Sequence, residues 1–379
     1  MTAEQVGDLV AQARGWLARN PGDLTPHRVA EALRATGRPV GDASVLAVYE
    51  ELRRSVVGAG LLEPLLAQPG VTDVMVNGCA EVYLDRGQGL ERAEVRFADE
   101  GAVRLLAQRL AAGAGRRLDD ASPYVDVRLA DGSRLHAVLA PLARPGTAIS
   151  LRIPSRRRLD LAASVPAPLL GLVGDIVRER LAFLVSGGTG SGKTTLLAGL
   201  LAQVPDSERI VIVEDARELD PDHPHVVGLE ARPANVEGAG RVAVRDLVRQ
   251  ALRMRPDRLV IGEVRGAEVV DLLASLNTGH EGGCGTVHAN SALDVPARIE
   301  ALALAAGLER AAVHSQLAAG LDVVLHVDRR TRSVVQIAVP RREADGTVRL
   351  QLAASWSAGS AVLGPGADQL ARRLGRPSL

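Results

Sequence analysis

The chain has 379 residues with 45 basic and 45 acidic side chains, so no net field draws it to nucleic acid or acidic lipid. Its few aromatic residues leave little to stack bases on, and Cys79 and Cys284 match no metal or disulfide spacing. This composition predicts two domains, free thiols in a reducing cytoplasm, no bilayer-spanning run and no signal-peptide core behind MTAEQVGDLVAQARGW.

Residues 1–54 read as a helical segment, because TPHRVAEALRATG and DASVLAVYEELRRSVV repeat apolar residues at helical spacing behind Thr and Asp/Ser caps. Residues 55–153 read as a small α/β domain. VTDVMVNG, EVYLD and ERAEVRF predict strands, GAVRLLAQRLAAGAG a helix, and YVDVRLADGSRLHAVLA a hairpin turning at Asp131-Gly132. A Pro- and Arg-rich linker, 154–168, follows. Its Arg156-Arg157-Arg158 run reads either as a hydrated hinge or as a contact with anionic lipid.

From 169 to 345, helices alternate with the short apolar runs LAFLVS, RIVIVED, RLVIGEV and GCGTVHA. That alternation predicts βαβ units and a mainly parallel sheet buried on both faces, an α/β fold. Residues 346–379 thin to Gly, Pro, Ala and Arg and are expected to form a weakly structured tail or a short docked segment.

The run Gly187-Gly188-Thr189-Gly190-Ser191-Gly192-Lys193-Thr194-Thr195 fits the phosphate-loop pattern, with an apolar strand before it and an amphipathic helix after it. The glycines let backbone N–H groups curl around phosphate oxygens at a helix N-terminus. Lys193 is the only lysine of the chain; every other basic position is arginine. A compact ammonium on a flexible stem suits a phosphate nest that a planar guanidinium fork would overfill. In such a loop Thr194 offers its hydroxyl to Mg²⁺ beside ATP.

Two carboxylates end apolar strands near this loop in the expected topology. RIVIVED closes on Glu214-Asp215 and RLVIGEV on Glu263, with Gly262 where an Asp is usual. Paired carboxylates beside a phosphate site suit water activation and Mg²⁺ coordination. The residues alone leave open which acid is the base; Glu214 as base and Glu263 as Mg²⁺ ligand is the expected split. In NTGHEGGCGTVHAN, His280 and His288 are too sparse for a zinc site. His288 ends a strand and is expected to sense the γ-phosphate, and His280 sits in a glycine-rich loop.

GGTGSGKTT, VEDARELD, RPANVEGAG with RVAVRDLVRQALRMRPDRLVIGEVRG, and NTGHEGGCGTVHANS occur in this order and spacing. Together they resemble the ATPases of type II and type IV secretion, and more narrowly the tight-adherence (Flp) pilus assembly motors of CpaF/TadA type. The resemblance spans about 50–340 and takes in LLEPLLAQPGVTDVMVNG and VDVRLADGSRLHAVLAP. It implies a RecA-like motor domain behind a PAS-like α/β domain, ATP and Mg²⁺ as cofactors, and a homo-hexamer in the cytoplasm. It further implies an inner-membrane platform protein as partner and leaves room for peripheral membrane contact, while the neutral charge and scarce aromatics argue against direct nucleic-acid binding. Glu214, with Arg217 nearby, falls in the family's Asp box, Glu263 with Arg265 in its Walker B strand, and His280 and His288 in its His box.

Period-two reading puts Arg128, Arg134 and Arg152 on polar strand faces. The resemblance favours Arg128 and Arg152 as charge stabilisers on a γ-phosphate, in the same or a neighbouring subunit. Arg245, Arg249 and Arg253 stack at i, i+4 and i+8 and call for a facing acid, expected across the ring interface. The missing four-cysteine zinc module argues against the type II secretion and type IVa pilus-extension branches. The alternatives are a conjugative or type IV secretion ATPase and a low-turnover ATP-binding switch.

Overall fold

The computed structural model describes residues 3–20, 25–35, 41–56, 58–87, 89–153, 161–232, 234, 239–277, 281–357 and 359–379. Two compact units divide at Arg156 and Arg157. The Arg156–Arg158 cluster and His280 lie outside the described residues.

The first unit begins with three helices, α1 (Ala3–Arg19), α2 (Pro26–Arg34) and α3 (Asp42–Val56). They bury their own small core, with Ala13, Val29, Leu33, Val48 and Leu52 inside. Thr25 opens α2 as expected, its hydroxyl accepting from the Arg28 N–H, with Pro26 at the first helical position where no N–H is needed. A short helix α4 (Glu63–Leu66) leads into strands β1 (Asp73–Asn77), β2 (Glu81–Asp85) and β3 (Leu90–Arg92). The expected third strand ERAEVRF is therefore cut short after Arg92. Helix α5 (Glu100–Gly113) is capped by Asp99 and precedes β4 (Tyr124–Arg128), β5 (Arg134–Val138) and β6 (Ala148–Arg152).

The six strands form an antiparallel sheet in the order β3-β2-β1-β6-β5-β4. One face packs on α4 and α5 through Leu65, Val76, Leu106, Leu110, Leu135 and Ile149. The hairpin turn has Gly132 at φ 89, and Asp131 Oδ1 accepts from the Ser133 N–H and hydroxyl. That side-chain turn is what Asp-Gly sequences supply.

The second unit opens on α6 (Ala167–Arg178) and β7 (Phe183–Gly187), then α7 (Lys193–Leu201), β8 (Ile210–Glu214) and β9 (Val226–Glu230). Next come α8 (Val244–Ala251), β10 (Arg258–Val264), α9 (Glu268–Leu276), β11 (Cys284–His288), α10 (Val295–Ala305) and α11 (Arg310–Gly320). The unit ends with β12 (Val323–Val327), β13 (Val334–Arg342), β14 (Val348–Ser357), β15 (Ser360–Leu363) and α12 (Ala367–Arg373). The nine strands run β15-β14-β13-β12-β7-β11-β10-β8-β9, with β12 through β9 parallel and β13–β15 added antiparallel. Two apolar layers, one on each face, explain why β7, β8 and β12 are buried at every position.

Of the two expectations for the C-terminal residues, the structure overturns the loose tail, and the docked segment is longer than expected. Val348–Ser357 pairs along β13 and is the longest strand of the sheet, and α12 buries Leu370 against its core. Small residues such as Ala353 and Ala354 hide this in the sequence, because they pack only once β13 lies beside them.

Candidate nucleotide site

Parallel strands present their C-terminal ends on one edge of the sheet, and this edge gathers the candidate residues. Strand β7 runs into the glycine loop between β11 and β12, in register so that Gly187 lies beside His288 and Val327. A Cβ at Gly187 would stand 2.6 Å from Ser191 Oγ and 2.7 Å from the Val327 carbonyl oxygen, so only glycine passes here. Gly192 caps α7 at φ 93, in the left-handed region that glycine enters freely. Thr189 and Gly190 are exposed at the loop tip, and Ser191 Oγ is buried without a hydrogen-bond partner among the described residues.

Lys193 is buried, and its ammonium donates to the carbonyls of Gly187 (3.1 Å) and Gly188 (3.0 Å). Burial is the first cause that lowers its pKa, with Glu263 opposing. Thr194 and Thr195 occupy the first turn of α7, where Thr194 Oγ1 donates to Glu218 Oε2 at 3.4 Å.

Glu214, at the end of β8, is buried, and its Oε1 accepts the N–H groups of Glu218 and Leu219, each at 3.0 Å. Desolvation outweighs these bonds and pushes its pKa up to about 7. The neighbouring strand explains Gly262. A Cβ there would lie 2.5 Å from Glu214 Cγ, so the Glu214 side chain fills the space an Asp at 262 would claim.

Glu263 follows on β10. Its Oε2 is paired with Arg265 Nη2, and His288 Nε2 stands 2.5 Å from its Oε1. Glu263 Oε1 is nevertheless buried without a well-angled hydrogen bond among the described contacts. The other ring nitrogen, His288 Nδ1, lies 3.5 Å from Lys193 Nζ. Burial first, then Lys193, lowers the His288 pKa. A neutral imidazole with its proton on Nε2 suits both neighbours.

Thr194, Glu214, Asp215, Ala216, Glu218, Gly262, Glu263 and Arg265 line a cavity of about 10 Å³, the space of one water molecule. Its donors are oxygens, the chemistry of a hard cation such as Mg²⁺. Among the described residues no three His, Cys, Asp or Glu side chains could hold a metal by themselves. Mg²⁺ needs only one or two protein oxygens when phosphates and water supply the rest. Glu263 Oε1, beside His288 but without a well-angled hydrogen bond among the described residues, and the Thr194 hydroxyl fit that part.

Several expected residues lie elsewhere. Arg217 points to Asp220 (2.8 Å) rather than into this cavity. Arg128, Arg134 and Arg152 belong to the first unit, where strand register places them side by side in one row across β4, β5 and β6. Arg134 makes a two-pronged pair with Asp126 (2.8 and 2.7 Å), Arg152 Nε is 3.3 Å from Asp73, and Arg128 donates to the Gly132 carbonyl. The arginine stripe finds its acid within the chain: Asp271 of α9 receives Arg245 (2.7 Å) and Arg249 (3.0 Å). That corrects the expectation of an acidic partner surface for those two.

Sequence reasoning missed Glu218 and His326. Glu218 sits one helical turn past Glu214 in VEDARELD, a spacing that hints at a second acid on the same side. His326 is buried on β12, its Nδ1 2.9 Å from Ser186 Oγ directly behind the loop. Nothing local in LDVVLHVD marks it, since it reads as one more strand residue.

Residues 56–351 match the family described as type II/IV secretion system protein. A Mycobacterium tuberculosis protein whose name refers to conjugal transfer is 58% identical over 333 residues, covering 84% of this chain and 94% of that one. The type IV secretion system protein PtlH of Bordetella pertussis is 34% identical over 259 residues, 61% of this chain and 76% of its own. Among solved structures, the pilus retraction motor PilT with bound ADP aligns over 81% of this chain and 83% of its own, with a TM-score of 0.52 and 20% identity, a likeness of fold. The chain belongs to the type II/IV secretion system protein family.

Proposed function

We propose that the chain is a Mg²⁺-dependent ATPase that works as a homo-hexameric motor on a membrane-embedded secretion or pilus platform. The observation that carries this reading is one cavity that joins the phosphate loop to two strand-end carboxylates, with His288 bridging Lys193 and Glu263. Phosphate-binding proteins that only hold a ligand have no need of a buried carboxyl poised near neutrality beside the loop.

In this reading the loop N–H groups, Ser191 and Lys193 hold the β- and γ-phosphates. Thr194 and Glu263 would hold Mg²⁺, which supplies charge neutralisation across the phosphates when bound. Glu214, fixed by the Glu218 and Leu219 N–H groups, takes the proton from the attacking water. With a pKa of about 7 it is a base matched to neutral pH. His288, with Nε2–H on Glu263 and Nδ1 towards Lys193, senses the γ-phosphate through the lysine and passes it to the strand-end carboxylate. Arg128 and Arg152 remain the proposed trans-acting cations, and their row with Arg134 presents charge on one sheet face.

The relatives' names favour a conjugal-transfer or type IV secretion apparatus over the tight-adherence pilus expected from motif spacing. No helix among the described residues is long and apolar enough to cross a membrane, which agrees with a peripheral motor. Steady-state ATP hydrolysis against protein concentration, with mass photometry on the same samples, tests the proposal. Specific activity should climb as hexamers form, Glu263→Gln should be inactive, and Arg152→Ala subunits should poison wild-type rings. Tight ATP binding with negligible hydrolysis at every concentration would replace the motor by a nucleotide-binding switch.

A further inference from the structure

Two residues past Glu263 the chain leaves β10 and turns into α9. The turn is pinned by Glu268, a buried carboxylate whose Oε1 accepts the N–H groups of Arg265 (2.6 Å) and Gly266 (2.7 Å). The backbone of Arg265 is thereby fixed, while its side chain stays 51% exposed. Its guanidinium is left to choose among acceptors within reach of its rotamers. Two carboxylates are in reach. Nη2 is in close contact with Glu263 Oε2, and Nη1 stands 3.4 Å from Asp215 Oδ2, well beyond the usual length of a charge-assisted bond. Asp215 Oδ1 already accepts the Ala216 N–H at 3.0 Å, so Oδ2 is the oxygen turned to Arg265. The fork therefore spans the cavity wall from β10 to the loop after β8, tight at one end and slack at the other.

We propose that Arg265 is a positioning residue that holds Glu263 in place until the metal–nucleotide complex arrives, then transfers to Asp215. The inference rests on the ATPase reading above. A carboxylate cannot keep a guanidinium at contact distance and also ligate a divalent cation without bringing two positive centres together, a repulsion that grows as their separation falls. Releasing Glu263 alone would leave an unpaired guanidinium, whereas Asp215 offers a second anionic partner within a side-chain rotation. The transfer ties the loop after β8, which carries Glu218 against Thr194, to the occupancy of Glu263. Lysine at this position would keep the charge but lose the fork that reaches both acids.

The test measures binding of a fluorescent methylanthraniloyl-labelled, non-hydrolysable ATP analogue to the full chain, in EDTA and at rising Mg²⁺. Arg265→Gln removes the competitor for Glu263. The Mg²⁺ concentration for half-maximal effect should then fall about 2- to 5-fold, the range expected for one half-exposed ion pair. Affinity in EDTA should stay within about twofold, because the arginine does not touch the phosphates in this scheme. In hydrolysis assays kcat should drop while KM for ATP holds, and Arg265→Lys should recover part of the Mg²⁺ response. An unchanged Mg²⁺ midpoint overturns the proposal. So does an equal loss of affinity with and without Mg²⁺, which would make Arg265 a nucleotide contact. Failure of the wild-type chain to bind the analogue under any condition would instead sink the ATPase reading itself, and the inference with it.

Discussion

Glu214 gives the sharpest quantitative expectation. Its carboxyl is buried at the end of β8, and its pKa is raised from 4.5 to about 7, chiefly by desolvation. In the folded chain it therefore keeps a proton that the unfolded chain has already released between those values. The native state binds more protons there, so stability falls as pH rises from about 4.5 to about 7 and is flat beyond. A shift of that size corresponds to about 3 kcal/mol. Glu214→Gln has no such titration, yet its amide oxygen can still accept from the Glu218 and Leu219 N–H groups. All other titrating groups are common to both proteins and cancel in the difference.

The variant should thus exceed the parent by less than about 1 kcal/mol at pH 5 and by about 3 kcal/mol at pH 8, the latter on the order of 6–12 °C in the melting temperature of a domain of this size. The assay is thermal unfolding in EDTA, without nucleotide, at pH steps from 5 to 8.5. A gap that stays constant across this range would refute the claim that Glu214 is held near neutrality. The same substitution should lower kcat about 10²- to 10⁴-fold if Glu214 is the base, and should remove the limb near pH 7 from the kcat/KM profile. More stability with less turnover is what a desolvated catalytic acid predicts.

Gly262→Ala should cost about 1–3 kcal/mol and impair hydrolysis, since its Cβ would drive Glu214 off its seat; equilibrium denaturation with a parallel ATPase assay reads both. Arg258→Met should destabilise the chain by about 3 kcal/mol or more, because Arg258 is fully buried on Glu208 (2.6 Å) and the Val177 carbonyl (2.9 Å). Adding Glu208→Gln should restore part of the loss, and a double-mutant cycle with no coupling would refute that account. Cys284 is buried and pushed up to about 12, so it should ignore an aromatic disulfide reagent at pH 8 until the chain unfolds. Thiol release with and without denaturant checks this.

The phosphate loop and the strand-end acids were legible because their signals are local: a glycine spacing, an apolar run, a lysine kept where arginine is otherwise universal. The pairing of elements was not. Arg245 and Arg249 called for an acid, and the sequence held many; only the packing of α8 on α9 selects Asp271. Gly262 looked like a missing aspartate because its neighbour Glu214 lies 48 positions away in the chain, brought beside it by the parallel register of β8 and β10. The terminal strands β14 and β15 were hidden for the same reason. Their stability comes from β13 and α12 rather than from alternation within the strand itself.

The same register explains why the candidate site behaves as one electrostatic unit. Lys193, His288, Glu263, Arg265 and Asp215 come from four separate segments, yet each stands within 3.5 Å of the next. Charges alternate along this chain about a neutral imidazole, so moving any member changes what its neighbours face. A phosphate that drew Lys193 forward would leave His288 Nδ1 without its cation and favour a protonated ring. That ring would in turn strengthen its hold on Glu263 and loosen the grip of Arg265. In the proposed ATPase reading, nucleotide entry at the loop would thus reach the strand-end acids through side chains alone, the kind of coupling a motor needs between binding and its working stroke.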